Sequence, residues 1–559
     1  MTTILGNISA SFKITPDLEY KILYGVNYGA GSRNDQILGW ITGTGGHADN
    51  AGQAFVAQSA LFSQTITHTL TYTKKLSDPL SLNAVAGYEY WTTNYRNQST
   101  YAYGFDYNLN QAQVIPVNYF NNMQDANPAN TLNASAVDPT VSLQSYFGRV
   151  QLNYNDLYLL TATFRADGSS KFGSNNKYAY FPSVAAAWNI SNETFMKTNT
   201  VFSNLKLRVG YGQTGNQEFP AGAAQNQFEY TGNGSLSTLN FANPSLKWET
   251  TTSTDGGIDF SILGGKLFGY VDYYHKKTTN PLFNGEISAP SPGTGSLVWQ
   301  NLPGYITNKG YEISLGAPII NTETVKWNLN VNVSHNKNTF TYPAIGTAPL
   351  YLTGSITGQG TSNTFVQAIA NGQPVDAFYT YKFLGYDQNG ITQLAKTPNY
   401  SGDPNPHWIV GISTDVSYKQ LTLSLNIHGA YDYMIYSNTL TNVTNLGNIT
   451  GGKNIAKSAL GTAESPADYV ASSSRFLFSG NYMKMGNATL SYHLGEIGSV
   501  VKNANIFFTG TNLFELTKYK GFDAEVNTDH NNNGVPSIGI DYIGYPTARS
   551  FTVGLNFSL

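Results

Sequence analysis

Cysteine is absent from the 559 residues, which excludes disulfide scaffolds, thiol catalysis and cysteine-based metal sites. Charge is scarce: Asp, Glu, Lys and Arg make up 12%, about half the share usual in soluble chains. The balance of 31 basic against 34 acidic residues leaves −3, so bulk positive charge cannot hold this chain on a nucleic acid. No apolar run approaches the roughly 18 residues of a membrane-crossing helix. The opening residues, MTTILGNISASFKI, lack the basic start, apolar stretch and small-residue cleavage site of a signal peptide, so the chain reads as carrying no export address. What is abundant is aromatic and flexible: 39 Tyr, 29 Phe and 55 Gly. Gly and Pro together are too few for collagen or a low-complexity chain. The length suits three or four ordinary domains, or one large β-barrel. The composition favours the large all-β protein.

The dominant pattern is strict alternation. Leu205, Leu207, Val209 and Tyr211 share one face, with Lys206, Arg208 and Gly210 on the other. Val325, Trp327, Leu329, Val331 and Val333 alternate with Lys326, Asn328, Asn330, Asn332 and Ser334. Segments 421–433 and 551–559 repeat the pattern. Period 2 means strands with two chemically different faces. Many run for about 10–15 residues, against a mode of about 5–6 in soluble proteins, and a tilted strand needs about 9–11 residues to cross a bilayer. Tight turns at 15–17, 77–79, 155–156, 263–265 and 321–323 join them in pairs. Long polar segments at about 32–58, 98–138, 216–243, 342–375 and 437–472 separate the pairs. Short turns on one side and long loops on the other are the layout of an antiparallel transmembrane β-barrel, and aromatics near strand ends (Tyr88, Tyr90, Trp91, Tyr431, Tyr433) fit its interfacial girdles. A soluble sandwich with aromatic-rich edges is the alternative; no repeat near 40–50 residues supports a propeller.

About 17 long strands are expected, from 4–13 to 551–559. The first is followed by a tight turn, so it descends to the periplasmic side like the last. An even-numbered barrel starts upward. The count therefore implies strands upstream, and residues 1–559 read as the C-terminal part of a larger barrel.

Several stretches resemble those of the SusC/RagA-type TonB-dependent transporters of Gram-negative outer membranes. They are LYLLTATFRADGSSKFG at 157–173 with Tyr180, Phe181, Pro182 and Ser183; LKLRVGYGQTGN at 205–216; NPSLKWET at 243–250; GIDF at 257–260 and VDYY at 271–274; NKGYE at 308–312; GDPNP at 402–406; NLFELTKYKGFD at 512–523; and GYP at 544–546 with Arg549, Ser550 and Phe551. The resemblance implies a 22-stranded barrel with a plugged lumen, of which this chain supplies about 17 strands without plug, TonB box or signal peptide. It implies import of a large nutrient, an oligosaccharide or a peptide. The implied partners are a SusD-like surface lipoprotein as lid, outer-membrane lipid, and the TonB–ExbB–ExbD complex acting through the plug region; no nucleic acid and no cofactor is implied. A plugless passive pore, an adhesin or a structural remnant is the alternative. Expressed alone, the chain is expected to insert poorly or aggregate, because an unpaired edge in lipid leaves backbone groups unsatisfied. Many such barrels end in an aromatic residue. Here Leu559 is last, with Phe557 on the same face.

No residue is nominated for catalysis, and the chain reads as no enzyme. Residues 167–173, DGSSKFG, lack the P-loop spacing and read as a structural loop. Asp523, Glu525, Asn527, Asp529, Asn531 and Asn533 alternate oxygen ligands but complete no EF-hand; they read as a solvated turn, with a weak cation site as the alternative. His275, His335 and His428 lie in separate strands without metal-ligand spacing, and no G-x-S-x-G is present. Trp40, Tyr119, Phe120, Tyr230, Tyr351 and Trp408 suit sugar or peptide contacts, and each is also what girdle or loop packing requires. The substrate-contact residues stay unassigned at this level.

Overall fold

The computed structural model describes the chain except residues 39–51, 106–117, 127–130, 231–235, 287–296, 344–348, 359–360, 362, 470, 527–536 and 559; of Tyr230 it describes only the backbone. One 19-stranded antiparallel sheet dominates it. Its strands are β1 (Thr2–Thr15), β2 (Leu18–Ile37), β3 (Gln53–Lys75), β4 (Leu80–Tyr103), β5 (Thr131–Val137), β6 (Val141–Tyr154), β7 (Tyr158–Ser169), β8 (Tyr178–Asn189), β9 (Phe202–Asn216) and β10 (Glu249–Ile262). They continue as β11 (Leu267–Thr279), β12 (Tyr305–Asn321), β13 (Val325–Thr341), β14 (Trp408–Tyr418), β15 (Leu421–Tyr431), β16 (Tyr482–Ile497), β17 (Val501–Thr511), β18 (Glu515–Thr517) and β19 (Ser550–Ser558). β5 and β6 lie end to end along β4, and β17 and β18 along β16, so the 19 segments occupy 17 positions in the wall. That is the number the alternation predicts. Consecutive positions in the wall are neighbours in space throughout. Among the described residues, β1 pairs only with β2 and β19 only with β17.

The faces follow from the register, because cross-strand partners point the same way. Leu207, Ile258, Val271, Ile313, Val333 and Val410 form one row across six strands. One residue along, Arg208, Gly257, Asp272, Glu312 and Ser334 form the next row on the opposite face. The apolar row faces outward and the polar row lines the lumen, as a barrel in lipid requires. Exposed apolar side chains such as Val209, Ile258, Val271 and Val553 are therefore the lipid-facing surface. Tyr273, Tyr311, His335 and Trp408 are one register row toward the loop end of that face, with ring centroids 5.3, 6.4 and 4.5 Å apart. Tyr154, Tyr158 and Trp188 gather toward the turn end, 6.4 and 6.3 Å apart. These are the two aromatic belts.

The turn side is short: 155–157, 263–266, 322–324 and 419–420 are typical connections. Asn155 and Asp156 both stand at φ 55°, the type I′ pattern that matches strand twist, and Asn and Asp tolerate it best after Gly. The exception is 190–201, which carries two single-turn 3-10 helices. Several strands exceed the expected length; β3 has 23 residues and β4 has 24. The expected loops at 32–58 and 98–138 shrink accordingly. Added residues such as Arg33, Asn34, Gln98 and Ser99 are polar on both faces, so no alternation marks them as strand.

The loop side holds the buried core. Two parts of the expected polar segment 342–375, together with stretches outside the expected loops, fold into small sheets: Tyr351–Ser355 and Phe365–Ile369 join Ala377–Thr380 and Asn399–Gly402 in one, and Leu477–Ser479, Met434–Ser437 and Ile540–Asp541 form another. Ile356, Val366, Phe378, Tyr436, Phe476 and Ile540 pack between them. No helix among the described residues is long and apolar enough to cross a membrane, which says nothing of a membrane crossed by strands.

Candidate functional site

The lumen wall and the folded loops above it are where a passing solute meets this chain. On the wall, Arg208 is held by Asp259 at 2.7 Å and by Asp272 at 3.0 Å. Arg165 is held by Asp167 at 2.7 Å, Glu89 at 3.2 Å and the Ser145 hydroxyl at 2.8 Å. Both guanidiniums come from the polar face of the alternation. The alternation places Arg208 on the polar face, but nothing in the sequence marks either arginine as ion-paired; their placement opposite Leu and Phe is the available signal.

Three of the sequence stretches singled out above converge at the rim beyond β7–β10. Asp167 turns back to Arg165, and the Lys171 ammonium donates to the carbonyls of Gln217 and Phe219 at 3.1 and 2.7 Å. Burial pushes the Lys171 ammonium below its ordinary pKa. Phe172 packs in a cluster with Phe181, Phe219, Leu246 and Trp248, its ring centroid 4.8 Å from that of Trp248. Gly173 must be small, since a Cβ there would stand 2.5 Å from the Pro244 carbonyl oxygen. Asn216 donates to Glu249, whose other oxygen accepts from the Leu282 N–H. DGSSKFG is thus a fastener for 217–219 and 244–248.

A second polar knot ties residues 518–526 to the lumen side of β15 and β16. The Lys484 ammonium, 5% exposed, donates to Asp523 at 2.8 Å and Glu525 at 2.7 Å. Glu525 also receives His428 at 2.8 Å and the Tyr482 hydroxyl at 3.1 Å. Burial alone would raise both carboxyls, but the Lys484 ammonium and their other donors hold Asp523 and Glu525 below the usual carboxylate range. The first two residues of the expected oxygen-ligand run are therefore paired to a lysine rather than solvated; residues 527–533 lie outside the described residues. Lys484→Met should free residues 518–526, costing about 2 kcal/mol of local stability once the partial exposure of Glu525 is discounted. Limited proteolysis within 518–526 checks this, and adding Asp523→Asn and Glu525→Gln should recover part of the loss.

The loop sheets carry one buried acid. Asp376 is 7% exposed and receives only the Thr353 hydroxyl, at 3.0 Å, among the hydrogen bonds described. Burial pushes its pKa up to about 6, with Thr353 opposing. A raised carboxyl stabilises the fold fully below its unfolded pKa and loses that contribution as pH rises through about 6. Asp376→Asn keeps the shape and tolerates the φ of 60° at this position. It should therefore stabilise the loop sheet by about 2 kcal/mol at pH 8 and by little at pH 4. Hydrogen exchange of the 365–380 amides at the two pH values checks it.

The aromatic candidates mostly pack. Tyr119 is buried with its ring 4.5 Å from Phe105, and Phe120 packs on the same cluster. Tyr351 lies 4.4 Å from Phe283. Trp408 is on the outer belt. Trp40 and the side chain of Tyr230 lie outside the described residues. His275 and His428 stay apart on separate strands, whereas His335 comes within 6.2 Å of His407. Among the described residues no three His, Asp or Glu gather as a metal would need.

The family model "TonB dependent receptor-like, beta-barrel" matches residues 3–513. TonB-dependent receptor P3 of Formosa agariphila is 29% identical over 99% of this chain and 58% of its own length. TonB-dependent receptor SusC of Bacteroides thetaiotaomicron is 30% identical over 74% of this chain and 43% of its own length. The structure of the RagAB peptide transporter superposes with a TM-score of 0.79 at 20% identity, over 99% of this chain and 61% of the solved one, a likeness of fold. The chain spans about half the length of the relatives it matches.

Proposed function

Since the chain belongs to the TonB-dependent receptor-like β-barrel family, of the SusC and RagA type, we propose that it forms the wall and extracellular loops of an active importer. Its place is the outer membrane, and its family consists of transporters rather than enzymes. The cargo is a large nutrient, an oligosaccharide or a peptide. The partners are a SusD-like surface lipoprotein above the loops, outer-membrane lipid around the wall, and the TonB–ExbB–ExbD complex acting through a plug. Residues 1–559 are the C-terminal part of the receptor barrel in this reading.

One observation carries the proposal: adjacent rows of the wall are apolar outward and ionic inward, beneath loops with their own buried core. A lumen lined by Arg208, Asp259, Asp272 and Glu312 suits hydrated cargo and the polar surface of a plug, whereas a lipid-facing adhesin stalk has no use for such a wall. The fastened loops give a lipoprotein lid a preformed surface. Among the described residues β1 and β19 each have one unpaired edge, consistent with further strands completing the ring. The test is uptake in cells lacking the encoding gene. Growth on one class of oligosaccharide or peptide should be lost, and uptake restored by the gene should stop when the proton-motive force is dissipated. Restored uptake that survives dissipation would favour the passive pore.

A further inference from the structure

Both ring nitrogens of His407 face carboxylates. Nε2 lies 3.0 Å from Oδ2 of Asp403, and Nδ1 lies 2.8 Å from Oδ2 of Asp432. A neutral imidazole has one N–H, so it donates to one carboxylate and turns a lone pair on the other. Only the imidazolium donates to both. The three residues come from two different loops: Asp403 and His407 end segment 342–407, and Asp432 begins segment 432–481. Asp403 is itself fixed, its Oδ1 accepting the backbone and side-chain N–H groups of Asn405, both at 2.8 Å. The Met434 N–H crosses the same seam to the Asp403 carbonyl at 2.8 Å, and the Asp432 N–H donates to the Asn481 side chain at 2.8 Å. Among the described residues a further titratable group beside the ring is His335 of β13, edge-on at 6.2 Å.

We propose that His407 is a proton-operated clasp, holding the two longest loop segments together at the barrel rim and loosening them as the pH of the medium rises. Burial works against the charged ring, but Asp403 and Asp432 outweigh it and hold its pKa above the ordinary imidazole value. The clasp is therefore complete below the unfolded pKa of about 6.5 and is lost as pH rises through the folded value. The clasp acts on loop fastening alone and stands whatever the cargo.

The experiment is hydrogen exchange on the intact receptor in detergent from pH 6 to 9, with rates divided by the intrinsic exchange rate at each pH. The amides followed are Asn405, Asp432 and Met434. In the wild type their opening should increase across this range, by about tenfold for each unit that the folded pKa exceeds the unfolded one. His407→Lys, a cation at every pH used, should keep the seam closed and flat with pH. His407→Gln should be open at pH 6 to the level the wild type reaches at pH 9. A wild-type profile flat with pH overturns the proposal, as does a His407→Gln seam as protected at pH 6 as the wild type. The wild-type profile stands as a test even if one variant fails to assemble.

Discussion

Phe172→Ala should destabilise the rim beyond β7–β10 by about 3–5 kcal/mol, the range for emptying a buried Phe site. Phe172 is 1% exposed, stacks on Trp248 and meets Phe219 edge-on at 5.1 Å. The void cannot close easily, because Gly173 already rests against the Pro244 carbonyl and the Lys171 ammonium pins 217–219 beside it. The effect should be local. Interior wall strands are held by continuous ladders on both sides, whereas 217–226 is held by this cluster and a few hydrogen bonds. Proteolytic nicking within 217–226 should accelerate by about two orders of magnitude or more, as a loss of this size implies, while the barrel still migrates as folded in unheated electrophoresis. Phe172→Leu keeps part of the volume and should show a fraction of the effect. Equal nicking in Phe172→Ala and the wild type would mean that the cluster does not hold the loop.

The wall was legible in the sequence for a simple reason. A strand between lipid and a polar lumen must alternate, and each of the two rows through Leu207 and Arg208 is chemically uniform across several strands. Alternation, turn residues such as Asn155 and Asp156, and strand number all follow from that constraint. The loops were less legible because their order is built from contacts distant in sequence. Phe172 meets Trp248, Tyr436 pairs in parallel with Ile540, and Lys484 meets Asp523. None of these pairings has a periodic signature. The same limit explains the aromatic candidates: Tyr119 and Tyr351 look like ligand contacts in an Asn- and Gly-rich stretch until their partners Phe105 and Phe283 are placed. Even so, the loop stretches whose wording resembled a known family, DGSSKFG, NPSLKW and NLFELTKYKGFD, mark positions that fasten loops to the rim. Their residue types follow from packing and charge pairing.

The reading of the wall as lipid-facing outside and aqueous inside rests most directly on β13. Val331 lies midway between Trp327 and His335 on the outward face, at the middle of the apolar band, and Asn332 beside it faces the lumen. The decisive measurement is urea titration of the receptor folded in bilayers, comparing Val331→Arg with Asn332→Arg. A charge at the lipid midplane costs about 2–4 kcal/mol, while a lumen substitution costs little. The account predicts a loss in that range for Val331→Arg and under about 0.5 kcal/mol for Asn332→Arg. Equal small losses, or a larger loss at Asn332, would contradict it.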